Sequence, residues 1–150
     1  MLRLSKLADY GIVILHCLAD ELQQFLSAKE IARRVHLSLP TVSKILKILS
    51  EAGLVVAARG AVGGYRLAKP STAMSITEVI TAIDGQPALT ECSEKGDNCA
   101  YNSFCAVKHN WQKINQFILN TLDQITLADM GKSLPLLPTI LPPRGVQTDG

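Results

Sequence analysis

No apolar run in this 150-residue chain approaches the roughly 18 residues needed to cross a bilayer. No positively charged, then apolar, secretory start is present either. The chain therefore reads as soluble and cytoplasmic. It also lacks any nucleophile–base arrangement. His16, His36 and His109 have no evident acid/base partners in the sequence, which argues against an enzyme. Internal repeats are missing, and so are the tight C-x2–4-C pairs that zinc sites usually carry. What remains is a globular composition, 47% hydrophobic, long enough for one domain with a real core.

Charge is unevenly spread. Residues 1–69 hold ten Lys/Arg against five Asp/Glu, whereas residues 70–150 hold five against eight. A basic N-terminal half points to a polyanionic partner, although an ordinary solvated surface would look similar.

Three of the four cysteines fall in one polar, turn-rich stretch, Glu91 to Cys105, spaced C-x6-C-x5-C. Without helical or strand period it reads as a loop, and a loop can turn several thiols toward one point. Thiolates are soft ligands suited to iron–sulfur clusters, zinc or copper(I). A disulfide plus a spare thiol and a structural zinc site remain open. In a reducing compartment, clustered cysteines more often bind metal or sense redox state. Cys17 lies inside an apolar helical pattern and reads as a core residue.

Leu4 to about Asp20 shows near-helical apolar spacing, with Ser5 as a cap and Asp9 one turn in. Ser27 and Glu30 form a capping-box pattern for a short helix ending near Val35. Ser38 caps a further helix, Leu39 to about Ala52, with Pro40 in its first turn and Gly53 as the stop. Two helices joined by so tight a turn describe a helix-turn-helix, with a plain helical hairpin as the alternative. Thr41, Ser43, Lys44 and Lys47 remain on the outer face of the second helix. From there Thr41, Ser43 and Lys44 can reach base edges and phosphates in a major groove. Leu54–Arg59 and Tyr65–Ala68 have strand character about a glycine-rich tip. A hairpin in that place is a wing, and Arg59 and Arg66 flank its tip. These features together indicate double-stranded DNA binding.

Ser75 and Glu78 open another capped helix, through Ile83, with Gly85 after it. Beyond the cysteines, Val107, Trp111, Ile114, Ile118, Leu122 and Ile125 recur at steps of three and four, with Phe117, Leu119 and Leu127 widening the stripe. A helix of about twenty residues is expected. Its apolar face needs cover, either a second copy of the chain or its own domain. From residue 131 the chain is proline-rich and poorly charged, and a largely disordered tail is expected. The division expected is therefore 1–69 for DNA binding, 70–130 for linker helix, cysteine loop and dimerisation helix, and 131–150 for the tail. The fold class is mainly α with a small β wing.

Taken together, these residues resemble the winged-helix iron–sulfur regulators typified by IscR and NsrR. They look most like the branch that regulates the SUF assembly operon. The likeness covers roughly residues 1–130. It is carried by Leu4–Gly11, by Leu54–Leu67 with its Arg59-Gly60-Ala61-Val62-Gly63-Gly64-Tyr65-Arg66 core, by the three cysteines and by Ile125–Asp129. It implies a homodimeric repressor of iron–sulfur assembly genes. It implies that Cys92, Cys99 and Cys105 hold a cluster, [2Fe–2S] in preference to [4Fe–4S]. It also implies DNA contacts from Ser38, Pro40, Thr41, Ser43 and Lys44, with Arg59 from the wing.

The fourth ligand departs from the pattern. In the IscR branch a histidine follows the last cysteine by three positions. Lys108 stands there and His109 comes one later, about 100° further round a helix. In the nitric-oxide-sensing branch a first-helix carboxylate of the other subunit can serve, and Asp9 matches it. Asp9 is preferred over His109. Two other functions fit parts of the pattern. One is a nitric-oxide- or redox-responsive repressor of the same fold. The other is a small iron–sulfur electron carrier, which leaves the winged head unexplained.

Overall fold

The computed structural model describes residues 3–21, 24–94, 100 and 104–134. Cys99 and residues 135–150, hence most of the expected tail, lie outside the described residues.

Every described helix except the long one at Lys108–Asp123 starts where a hydroxyl can satisfy the otherwise unpaired first-turn amides. Helix α1 (Lys6–Ala19) starts at Ser5, whose Oγ accepts from the Ala8 amide. Helix α2 (Ala28–Val35) starts at Ser27, and α3 (Leu39–Glu51) at Ser38, with Pro40 in its first turn. The turn between α2 and α3 is made by His36, left-handed at φ 56°. Strands β1 (Val55–Ala58) and β2 (Gly64–Leu67) follow as an antiparallel pair, with Val55 opposite Leu67 and Ala58 opposite Gly64. Helix α4 (Ile76–Asp84) carries a full Ser75–Glu78 capping box. A 3-10 turn at Glu91–Ser93 precedes α5 (Lys108–Asp123), and α6 (Leu127–Met130) is the last described helix.

One hydrophobic core runs through these elements. Ile14 and Leu15 of α1, Ile31 of α2, Ile45 and Leu46 of α3, and Val79 of α4 are all fully buried within it. Each such side chain contributes roughly 1.5–3 kcal/mol relative to exposure. Helices α1 and α4 approach so closely at Gly11 that an added Cβ would collide with Ile83. Asp84, at the end of α4, accepts from both the amide and the hydroxyl of Ser5, joining the two helices at the start of α1.

Three expectations change. The capping box at Ser27 is half formed. Ser27 accepts from the Glu30 amide, but the Glu30 carboxylate is taken by Arg33 at 2.7 Å and Arg34 at 2.9 Å. The last long helix has 16 residues and stops at Asp123. Ile125 and Leu127 are not on it. The chain breaks at Gln124–Thr126 and turns back, and Leu127 enters the core of the head completely buried. Thr126 and Asp129 form a second capping box at this return. Cys17 packs against the core but is only half-buried, and burial raises its thiol pKa above the ordinary range.

The Glu30 cluster has a measurable consequence. Hydrogen bonds from Arg33 and Arg34 hold the Glu30 carboxyl down to about 2. A depressed carboxyl contributes stability above its unfolded value, and that stability is lost as pH falls through the folded value. Thermal stability should therefore fall between pH 4.5 and 2 by an amount that Glu30→Gln removes. Parallel melting curves of the two proteins across that window check it. Because the group is exposed, the effect should be small and salt-sensitive.

Candidate nucleic-acid interface and cysteine site

The reading face is built on α3. Its inner side, Val42, Ile45, Leu46 and Leu49, is fully buried, which fixes its rotation. Pro40, Ser43, Lys44 and Lys47 then fall at i, i+3, i+4 and i+7 on one exposed face. Ser38 and Thr41 sit at its N-terminal end, their hydroxyls 2.8 Å apart in a shared hydrogen bond. Thr41 is half-buried, so its hydroxyl is partly committed to the cap.

The wing stands beside this face. Arg59 is exposed at the tip, directly after β1. Arg66 is not at the tip. It lies within β2, opposite Val56, and its guanidinium stacks over the Phe25 ring, 4.8 Å from the ring centre. The wing is also tied to the head by a bridge invisible to local pattern. The Leu26 amide donates to the Tyr65 carbonyl at 3.0 Å, and the Tyr65 amide to the Leu26 carbonyl at 2.8 Å. Gly64 makes the approach possible. It adopts φ 141°, and an added Cβ would strike the Leu26 carbonyl.

The cysteine site lies against the N-terminal half of α5. Cys92 is buried, 7% exposed, on the 3-10 turn. The Thr90 hydroxyl is 3.0 Å from its sulfur and 3.0 Å from the Ser93 hydroxyl. Cys105 is half-buried, and its carbonyl accepts from the Lys108 amide as α5 begins. Neither sulfur is in a disulfide. Cys105 thus immediately precedes the N-terminal end of a 16-residue helix, where the dipole favours negative charge. Cys99 belongs to the connection between them but lies outside the described residues. Asp9 and His109 are both exposed. Among the described residues no three metal-ligating side chains are gathered into one group.

Sequence reasoning missed two side chains here. Gln112 Nε2 donates to the Cys92 carbonyl at 3.1 Å. Asn115, buried on α5, accepts from the Leu89 amide at 2.9 Å. The available signal was a polar residue four positions from both Trp111 and Leu119, on an otherwise apolar stripe.

The chain matches the family named Rrf2, described as an iron-dependent transcriptional regulator, over residues 4–133. It belongs to the Rrf2 family. Protein rrf2 of Nitratidesulfovibrio vulgaris is 28% identical over 138 residues, covering 91% of this chain and 92% of that one. The HTH-type transcriptional regulator IscR of Vibrio cholerae is 33% identical over 130 residues, 86% of this chain and 75% of its own. Among solved structures, CymR (YrzC), the global cysteine regulator of B. subtilis, superposes with a TM-score of 0.70 at 28% identity. It covers 90% of this chain and 100% of its own. T. potens IscR gives 0.65 at 35% identity, covering 86% and 85%. The fold is thus the winged helix of Rrf2 transcriptional regulators, which bind DNA and are not enzymes. No described helix is long and apolar enough to cross a membrane.

Proposed function

We propose that this Rrf2 protein is a cytoplasmic, homodimeric repressor whose hold on a DNA operator depends on an iron–sulfur cluster, and that it controls cluster-assembly genes. The observation that carries this reading is that Cys105 immediately precedes α5 and the Cys92 main chain is held to the same helix by Gln112, on a chain that also carries an exposed α3 face and wing. The donor set suits the group: soft sulfur donors, one of them buried, beside a helix N-terminus. Cys92, Cys99 and Cys105 would hold it, with [2Fe–2S] preferred. Asp9 of a second copy is the favoured fourth ligand and His109 the other candidate, since Asp9 is exposed and therefore available to a neighbour. When bound, such a cluster supplies a centre sensitive to oxidants, iron supply and nitric oxide.

The chain's own residues supply the rest. Pro40, Ser43, Lys44 and Lys47 present one face to the major groove, with Ser38 and Thr41 at its end. Arg59 reaches a neighbouring phosphate or minor groove, and Arg66 follows from its seat on Phe25. Residues 1–69 serve DNA and residues 70–130 serve sensing and pairing. Val107, Trp111, Ile114 and Phe117 are 41–51% exposed along α5, a face suited to a second copy. Ordering of the cysteine segment beside that face biases the spacing of two heads.

A gel shift on a palindromic operator at fixed salt, comparing cluster-loaded with cluster-free protein, tests the reading. The two affinities should differ at least about ten-fold, which corresponds to about 1.4 kcal/mol of coupling. Equal affinities remove the sensing role, because a ligand indifferent to two states shifts neither. The half-exposed Cys105 favours a second version in which nitric oxide or redox stress is the signal. Anaerobic nitric oxide titration followed by absorption separates the two.

A further inference from the structure

Asn115 and Gln112 are polar residues on the side of α5 that faces its own chain. Asn115 is 7% exposed, beside Leu119 at 7%. Burying a carboxamide is costly unless it is hydrogen-bonded. Its oxygen accepts from the Leu89 amide, three residues before Cys92. One turn earlier, the Gln112 amide group donates to the carbonyl of Cys92 itself. Backbone chemistry dictates which end of each carboxamide is which. An N–H needs an oxygen opposite it, and a C=O needs an N–H.

The two contacts bracket the segment 89–92 and join it to α5 through main-chain atoms. The Cys92 sulfur takes no part in either contact; its partner is the Thr90 hydroxyl, 3.0 Å away. Ile114 lies one residue, about 100°, round the helix from Asn115 and is 44% exposed. The face that holds Cys92 therefore adjoins the face left open for a second copy.

We propose that Asn115 and Gln112 are positioning residues that fasten the Leu89–Cys92 main chain to α5 and so set where the Cys92 thiol is presented. For cluster retention this rests on the function proposed above; for the cluster-free protein it does not. The polarity of the contacts makes the test specific. Asn115 acts as an acceptor, so Asn115→Asp retains the role and Asn115→Leu removes it. Gln112 acts as a donor, so Gln112→Glu removes it although size is kept.

The experiment uses the full chain. In cluster-free protein, the rate of N-ethylmaleimide addition at each cysteine is read by peptide mass spectrometry. In reconstituted protein, loss of visible circular dichroism is followed after a chelator is added. Cys92 should react about ten-fold faster in Asn115→Leu and Gln112→Glu. That factor corresponds to a shift of about 1.4 kcal/mol in a local opening equilibrium. Cys17 should be unchanged, and Asn115→Asp should stay within about two-fold of the parent. Cluster loss should follow the same order. Unchanged Cys92 reactivity in both disruptive variants overturns the proposal, as does an Asn115→Asp protein as reactive as Asn115→Leu. Should Asn115→Leu not fold, the more exposed Gln112→Glu decides alone. A parent protein that never takes up a cluster, while Cys92 reactivity still follows the predicted order, sinks the sensing function and upholds the positioning role.

Discussion

Gly64→Ala is expected to destabilise the protein by about 3 kcal/mol and to weaken operator binding more than ten-fold. Two effects coincide at this residue. Its backbone at φ 141° is one that side chains rarely adopt, and an added Cβ meets the carbonyl of Leu26 rather than open space. The Leu26 carbonyl cannot step aside, because it accepts the Tyr65 amide in the bridge between Leu26 and Tyr65. Relief requires the wing to lift from the N-terminal end of α2, which displaces Arg59 and unseats Arg66 from Phe25. Gly60→Ala is the matched control. Gly60 also has positive φ, 108°, but nothing lies within 4 Å of its added Cβ. It should show the conformational cost alone, about 1–2 kcal/mol. Urea midpoints and fluorescence-anisotropy titrations read the two quantities. Equal losses in the two variants would show that the Leu26 bridge contributes nothing.

Cys92→Ser is expected to lower the iron and sulfide retained after anaerobic reconstitution by about 100-fold or more. Disturbing an outer-shell partner alone typically costs 10–100-fold, and a lost ligand costs more. Serine is nearly isosteric and keeps a partner for the Thr90 hydroxyl, so the 3-10 turn should survive. Far-ultraviolet circular dichroism should be unaltered. Cys17→Ser should leave metal content untouched. Cys17 sits against the α1 core, and its burial-raised pKa keeps it a neutral thiol near pH 7. Retention of full iron by Cys92→Ser would remove Cys92 from the ligand set.

Much of the fold was legible because its punctuation is local. Ser5, Ser27, Ser38 and Ser75 announce their helices by the same chemistry, a hydroxyl accepting from a first-turn amide, and Gly53 and Gly85 end two of them. The α3 face was legible because four buried apolar positions leave only one outer side. The illegible parts are long-range. Nothing near Leu26 says that it pairs with Tyr65, and nothing near Leu127 says that it ends under α1. Periodicity continued α5 through Ile125, because the helical step does not distinguish a residue on the same helix from one that folds back. Glu30 looked like a box residue, yet two arginines one turn on compete for it and win. At the cysteine site the sequence names the thiols but not Gln112 and Asn115. Their role lies in main-chain contacts 20 and 26 residues away.

Helix α5 is anchored at both ends. Its C-terminal end is stitched to the head by the Ile76 amide on the Ile125 carbonyl, the Leu127 amide on the Met74 carbonyl, and the Ser75 hydroxyl on Asp123. Its N-terminal portion grips the Leu89–Cys92 segment. A rod pinned so close to the hydrophobic interior has little room to pivot by itself. On the sensing role proposed above, a push on its cysteine end would tilt the reading head with it, turning a local rearrangement into a change of angle at the double helix.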